Sequence, residues 1–122
     1  MTNPAEGERV NVLTIDDILA KDDLGEKKID VPEWGGSVVI RGLGYGEFVA
    51  VRDKSMVNGE QDETIFGVGL LAAAFVNPTV NEEQAKALFN KSSAAVVRIT
   101  GEIVALSGIG GRAFVDAEAD FS

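Results

Sequence analysis

The sequence predicts an α+β protein that is mainly α-helical, in which a short N-terminal β-hairpin precedes a compact bundle of about four to five helices. Two short β-like runs flank the segment VPEWGG at residues 31–36, and apolar residues recur at helical spacing through the second half. Hydrophobic residues make up 45% of the 122 residues, which is enough for one core. We therefore expect a flexible tail over residues 1–12 and a single domain over residues 13–122.

The first part of this domain, residues 13–43, is predicted to hold one helix and the hairpin. Thr14 and Asp17 have the spacing of a capping box, which predicts a helix from Ile15 to about Lys21. The large apolar side chains of this helix fall on one face: Ile15, Ile18 and Leu19.

The hairpin is expected over residues 26–41. Pro32 falls at the end of its first strand, where a missing N–H does least damage. Gly35 and Gly36 would supply the positive φ angles that a tight turn needs. Trp34, the only tryptophan, is expected either to cap the core or to contact another subunit.

Capping and helix-breaking signals define the remaining helices. Asp62 opens one helix, which ends before Pro78 because the residue preceding a proline resists the α conformation. A second capping box begins at Asn81, and Ser92 or Ser93 caps the longest helix. The chain is expected to be weakly ordered from about residue 108. In the helical part, residues 44–122, the expected helices span residues 45–56, 62–76, 81–89, 92–106 and 113–120.

The most hydrophobic segment is the run of 12 residues over 65–76. It is too short to cross a bilayer and predicts a buried central helix. Gly67 and Gly69 within it would permit close contact with another helix, either inside the domain or across an oligomer.

The composition argues against catalysis. Cysteine and histidine are absent, which excludes disulfides, thiolate nucleophiles and the usual general base. Acid pairs occur mostly at predicted helix starts, where they stabilise the helix dipole, and none has calcium-loop spacing. The glycines of residues 42–46 lack the spacing and the lysine of phosphate-binding loops. We expect no enzymatic activity and no catalytic, cofactor-binding or metal-binding residues.

The charge and the N-terminal sequence limit the partners. The chain has 20 acidic and 11 basic residues and a net charge of −9, which disfavours nucleic acid. Residues 1–10 are polar and do not resemble an export signal. We therefore expect a soluble cytoplasmic protein with no nucleic-acid or membrane partner. Its candidate partner or self-association surface consists of large apolar and aromatic side chains: Trp34, Tyr45, Phe66, Leu70, Phe75, Phe89, Phe114 and Phe121.

The order of these parts resembles the tail assembly chaperones of long-tailed bacteriophages over nearly all of residues 13–122. The likeness includes VPEWGG, a strand ending in RGL, the helix start EEQAKALFNKS and a terminal AEADF. The chain departs from the family at residues 44–46, where GYG replaces a polar, charged helix start. The strongest matching residues are Val31, Pro32, Glu33, Trp34, Gly35, Arg41, Leu43, Lys91, Ser92, Leu106, Ser107, Gly108 and Phe121.

The resemblance implies a protein that coats the tape measure protein of a phage with a long, non-contractile tail. Such chaperones self-associate around this helical client in the host bacterial cytoplasm, keep it soluble, and are absent from the mature virion. The chain resembles the shorter form, and a longer form made by ribosomal frameshifting recruits the major tail protein. The client-facing surface is then expected on the helical half, over residues 65–106.

Two other classes of protein remain as alternatives. One is a structural tail or neck protein, which stays in the virion. The other is a small acidic adaptor that sequesters a basic partner, with binding that salt would weaken strongly.

Overall fold

The computed structural model describes residues 11–109, which form five helices and five strands. The helices are α1 (Ile15–Ala20), α2 (Tyr45–Lys54), α3 (Glu63–Ala74), α4 (Glu82–Phe89) and α5 (Ser93–Leu106). The strands are β1 (Glu26–Val31), β2 (Gly36–Arg41), β3 (Met56–Val57), β4 (Glu60–Gln61) and β5 (Phe75–Asn77). This architecture confirms the predicted fold class. Most of the expected N-terminal tail, and the helix expected over residues 113–120, lie outside the described residues.

The predicted hairpin is confirmed, since β1 and β2 pair antiparallel along their whole length. A short 3-10 helix, Pro32–Trp34, joins them, and the Gly35 N–H donates to the Pro32 carbonyl at 3.1 Å. Gly35 has a φ of +76°, in the region that glycine adopts without steric penalty. The expectation of positive φ at Gly36 is wrong, because the 3-10 turn reverses the chain with one such residue and Gly36 already belongs to β2.

The central helix is shorter than predicted, and its expected extension to Val76 is wrong. α3 ends at Ala74, and the following residues form β5, which pairs antiparallel with β2 and places Phe75 opposite Ile40. The sheet order is therefore β1-β2-β5. The free edge of β2 offers backbone hydrogen bonds that a further helical turn would leave unused, and Phe75 and Val76 are side chains that suit a strand.

A second, two-stranded hairpin links α2 to α3, and the expected extension of the first of these helices to residue 56 is wrong, because Met56 belongs to β3. β3 and β4 pair antiparallel around Asn58 and Gly59, whose φ angles are +54° and +82°. These signs are those of a type I′ hairpin turn. The buried Ser55 ends α2 and accepts a hydrogen bond from the Asp62 N–H at 2.7 Å, which ties the two helices together.

The core lies where α3 and α5 pack with the three-stranded sheet. The prediction of a buried central helix is confirmed, since Val68, Leu70, Leu71 and Ala74 of α3 are buried. Apolar residues of α5 that recur at helical spacing are also largely buried: Val96, Ile99, Ile103 and, in part, Leu106.

The C-terminal end of α5 packs directly on the segment that follows β2. The Leu43 N–H donates to Ser107 Oγ at 2.8 Å, and this hydroxyl donates to the Ile103 carbonyl at 2.7 Å. A Cβ at Gly42 would lie 2.7 Å from the Leu106 carbonyl oxygen, so only glycine fits there. Leu43, Leu106 and Ser107 are among the residues that carry the family resemblance, and their contacts here hold the fold together.

The predicted helix caps are confirmed. Thr14 and Asp17 form the expected capping box at α1, Asn81 and Gln84 form one at α4, and Ser92 caps α5. α1 differs from the other helices, because none of its residues is buried.

Candidate protein-binding groove

An open, mainly apolar groove of about 540 Å³ lies between α2 and α4, and α3 forms its floor. This volume falls within the range of about 300–1,000 Å³ found for ligand-binding clefts. Residues of all three helices line it. α3 contributes the largest share: Thr64, Ile65, Val68, Gly69, Ala72 and Ala73.

α3 packs closely against both walls of the groove at two glycines. A Cβ at Gly69 would lie 2.8 Å from Val51 Cγ1 of α2, and a Cβ at Gly67 would overlap the ring of Phe89 on α4. These glycines therefore permit close helix contacts inside the domain, one of the two roles that the sequence left open. Ala72 and Ala73 of the groove floor have short side chains, which leave the space between α2 and α4 unfilled.

Charged side chains lie at the rim of the groove. Lys54 Nζ of α2 is 3.7 Å from Glu82 Oε1 of α4, and Lys86 lies one turn further along α4. Both partners of the ion pair are well exposed, and such a surface pair contributes only about 0–1 kcal/mol. The pair is therefore too weak to hold the groove closed. Lys54, Glu82 and Lys86 together give the rim a net charge of +1, which favours an acidic ligand.

The groove is suited to bury apolar side chains of another protein segment. Its apolar floor between two helical walls matches the recognition mode in which an amphipathic helix lays its apolar face into a groove. The polar side chains at its edge would then face the polar side of that helix.

A second apolar pocket of about 320 Å³ lies between the turn of the β1–β2 hairpin and α4. Trp34, Val38 and Phe75 line one side of it, and Val80 and Leu88 line another. Trp34 is half-buried and packs against the core, as expected for the first of the two roles that the sequence left open, a core cap or a contact with another subunit. Its Nε1 is buried and has no hydrogen-bond partner within residues 11–109.

The residues predicted to form a partner surface do not form one continuous patch. Phe89 lines the groove. Tyr45 is 73% exposed at the start of α2, with its ring centroid 6.5 Å from that of Phe48. Phe66 is half-buried and packs edge-on against the same ring at 5.9 Å. The structure therefore brings Tyr45 and Phe66 together through Phe48, away from the groove lining.

Leu70 and Phe75 are buried, so their assignment to an exposed partner surface is wrong, although Phe75 borders the second pocket. They are 3% and 5% exposed and belong to the core cluster. Leu70 lies on the central helix α3, and Phe75 lies on β5, which pairs with β2. The sequence alone does not show this burial, because an apolar run has the same pattern whether its side chains face the core or an exposed surface. Phe114 and Phe121 lie outside the described residues.

Several candidate binding residues were missed from the sequence. Ala50 and Ile65 are exposed at the groove, and Lys54 and Lys86 give its rim positive charge. The spaced glycines and the consecutive alanines of α3 were the available signal, because small side chains on a central helix leave room above it.

Two bidentate arginine–glutamate pairs lie outside the groove and fasten elements of the fold. Arg98 of α5 holds Glu33 of the hairpin turn at 2.9 and 2.7 Å, and Arg41 of β2 holds Glu47 of α2 at 2.9 and 2.6 Å. The arginine hydrogen bonds lower the pKa of each glutamate from 4.5 to about 2. For Glu47, a hydrogen bond from the Gly44 N–H lowers the pKa further.

Within residues 11–109, the structure also bears on metal binding and on membrane insertion. No group of three or more acidic side chains there is placed to hold a metal ion. None of the five helices combines the length and apolar character needed to cross a membrane.

Comparison of the whole chain with protein-family models, with curated proteins and with solved structures gives no match.

Proposed function

We propose that this protein is a tail assembly chaperone of a bacteriophage with a long, non-contractile tail, in the shorter, non-frameshifted form. It binds the tape measure protein in the host cytoplasm, self-associates around it, keeps it soluble and leaves before the tail is complete. A longer, frameshifted form would recruit the major tail protein. The observation that carries the proposal is the apolar groove between α2 and α4, together with the family resemblance of the sequence.

The groove supports this function because the client of such a chaperone is a long helical protein. A client of this kind presents amphipathic segments, and the apolar face of one segment fits the groove. Burial of each large apolar side chain contributes about 1.5–3 kcal/mol, against which association has a substantial entropic cost. One groove therefore binds weakly, and many copies along one client bind strongly through avidity.

The charge of the chain supports the same function. A net charge of −9 makes neighbouring copies repel at long range, which keeps a coated client dispersed. The charged residues that line the groove, Lys54, Glu82 and Lys86, have a net charge of +1, which is opposite in sign to that of the whole chain.

The first test is co-expression of the chain with the tape measure protein of the same phage. Client solubility and co-elution on size-exclusion chromatography are measured. We expect a soluble client that elutes early with many copies of this chain. If the client stays insoluble with both this chain and its frameshifted form, the proposal is wrong.

Two matched variants test the groove in the same experiment. Ala50→Glu with Ile65→Glu places charge at two exposed positions of the groove, and we expect loss of client solubility. Val97→Glu makes the same kind of change on α5, where Val97 is 68% exposed and lies outside the groove lining, and we expect no loss.

The mature virion provides the remaining comparison. A chaperone is absent from purified particles, whereas detection of this chain at a fixed number of copies per particle would favour a structural tail protein.

A further inference from the structure

The apolar face of α1 is exposed along its whole length. Ile15, Ile18 and Leu19 are 65%, 48% and 74% exposed, and the capping box holds them in a helix. A helix of six residues has little stability in water unless its apolar face packs against something. The groove on α3 has the complementary shape: an open apolar floor between two walls.

The charges of the two surfaces are also complementary. Residues 14–23, which contain α1, have four aspartates and one lysine, a net charge of −3. Lys54, Glu82 and Lys86 line the groove, a net charge of +1. An acidic amphipathic helix therefore meets a rim of opposite net charge, and its aspartates can replace Glu82 as the partner of Lys54.

We propose that α1 of one copy binds in the groove of a second copy. The two surfaces are different, so the contact is head-to-tail and leaves a free α1 at one end and a free groove at the other. It can therefore extend to a ring or an open chain. This inference rests on the proposed function in one respect: a client helix uses the same groove and displaces α1 from it. The α1 contact therefore joins copies whose grooves hold no client helix, whereas copies on the client gather along it through their grooves.

Two variants of the full chain, each changed only at exposed or half-exposed positions, separate the two halves of the contact. The α1 variant carries Ile15→Ser, Ile18→Ser and Leu19→Ser, and the groove variant carries Ala50→Glu and Ile65→Glu. Val97→Glu is the control. Sedimentation equilibrium measures association for each variant over a range of concentrations.

We expect wild type and Val97→Glu to associate with rising concentration. Each of the other variants should associate at least about 100-fold more weakly, since several buried apolar side chains are lost. An equimolar mixture of the α1 and groove variants should form a heterodimer that grows no further, because one intact helix and one intact groove remain. This rescue also shows that both variants are folded.

Three results would overturn the inference. A monomeric wild-type chain would mean that α1 does not join two copies. This would be the outcome if α1 bound the groove of its own chain. Undiminished association of either variant would mean that another surface joins the copies. Absence of rescue on mixing would exclude the head-to-tail contact.

The outcome of the association measurements can be told apart from the outcome of the client-solubility test. If the proposed function holds, the α1 variant keeps an intact groove and still solubilises the tape measure protein. If wild type fails to solubilise the client, the proposed function fails while the association measurements stand.

Discussion

Gly42 illustrates how one residue sets the distance between two elements of this protein. The residue is buried between the end of β2 and the last turn of α5, in contact with the backbone of Leu106. Backbone cannot move aside as a flexible side chain can, so the absence of a Cβ at residue 42 determines how closely α5 approaches the sheet.

We predict that Gly42→Ala lowers the free energy of unfolding by about 1–3 kcal/mol, because the new methyl group forces the end of α5 away from the sheet. Urea denaturation measures the change. Gly101→Ala is the matched control: Gly101 is exposed within α5 and a Cβ there meets nothing within 4 Å. This control should gain about 1 kcal/mol from helix propensity. Equal effects of the two substitutions would contradict the packing argument.

At the scale of elements, the junction between β2 and α2 depends on a single carboxylate. Glu47 accepts hydrogen bonds from Arg41 at the end of β2 and from the Gly44 N–H at the start of α2. It therefore caps the helix and ties it to the sheet at once. These bonds are made by the ionised form, which is why the pKa of Glu47 is lowered to about 2.

We predict that this junction weakens in acid. Because the pKa of Glu47 is about 2 in the folded state and 4.5 when unperturbed, the unfolded chain binds the proton first as the pH falls. The stabilisation is complete above about pH 4.5 and is lost as the pH falls towards 2. The exposure of the pair limits its contribution to about 1 kcal/mol. Urea denaturation between these pH values measures it.

Glu47→Gln should flatten this part of the pH profile. Arg41→Gln should flatten it less, since it removes the ion pair but leaves the hydrogen bond from the Gly44 N–H to Glu47. The Glu33–Arg98 pair loses stability in the same direction and remains in both variants, so the profile should not become completely flat. A Glu47→Gln profile parallel to that of wild type would contradict the assignment.

At the scale of the whole molecule, the chain divides into a packed body and an exposed α1. The body contains the core cluster, with α3 and α5 against the three-stranded sheet. α1 contributes no residue to it, so the same apolar side chains that would aid association contribute little to folding.

We predict that the α1 variant, with Ile15, Ile18 and Leu19 changed to serine, unfolds with a free energy within about 0.5 kcal/mol of wild type. The reason is that all three side chains are exposed in the folded monomer. Thermal and urea denaturation should be measured at a protein concentration where wild type is monomeric, because association would add stability by mass action. A loss of several kcal/mol would mean that α1 packs on the body.

The elements could be predicted where a local signal decides them. Thr14, Asn81 and Ser92 cap their helices as expected, because a side-chain oxygen satisfies backbone N–H groups only a few residues away. The end of α3 could not be predicted in this way. Phe75 continues a helical apolar run in sequence, and it joins a strand because the edge of β2 lies beside it in the fold.

The candidate site was predicted less well than the fold. Phe89 was expected at a surface and lines the groove, whereas Leu70 was expected there and is buried. In the sequence, an apolar residue that is buried in the core cannot be told from one that lines a surface groove. Its exposure depends on which neighbouring elements cover it, and those elements come from distant parts of the chain.

The sequence by itself determined the fold class, the hairpin, the helix caps and the acidic character of the chain, since each follows from residues close together or from composition. Only the tertiary structure decided that α3 ends at Ala74, that the small side chains of α3 open a groove between α2 and α4, and that α1 stays exposed. These features depend on contacts between residues far apart in the chain, and packing rather than local preference determines their geometry.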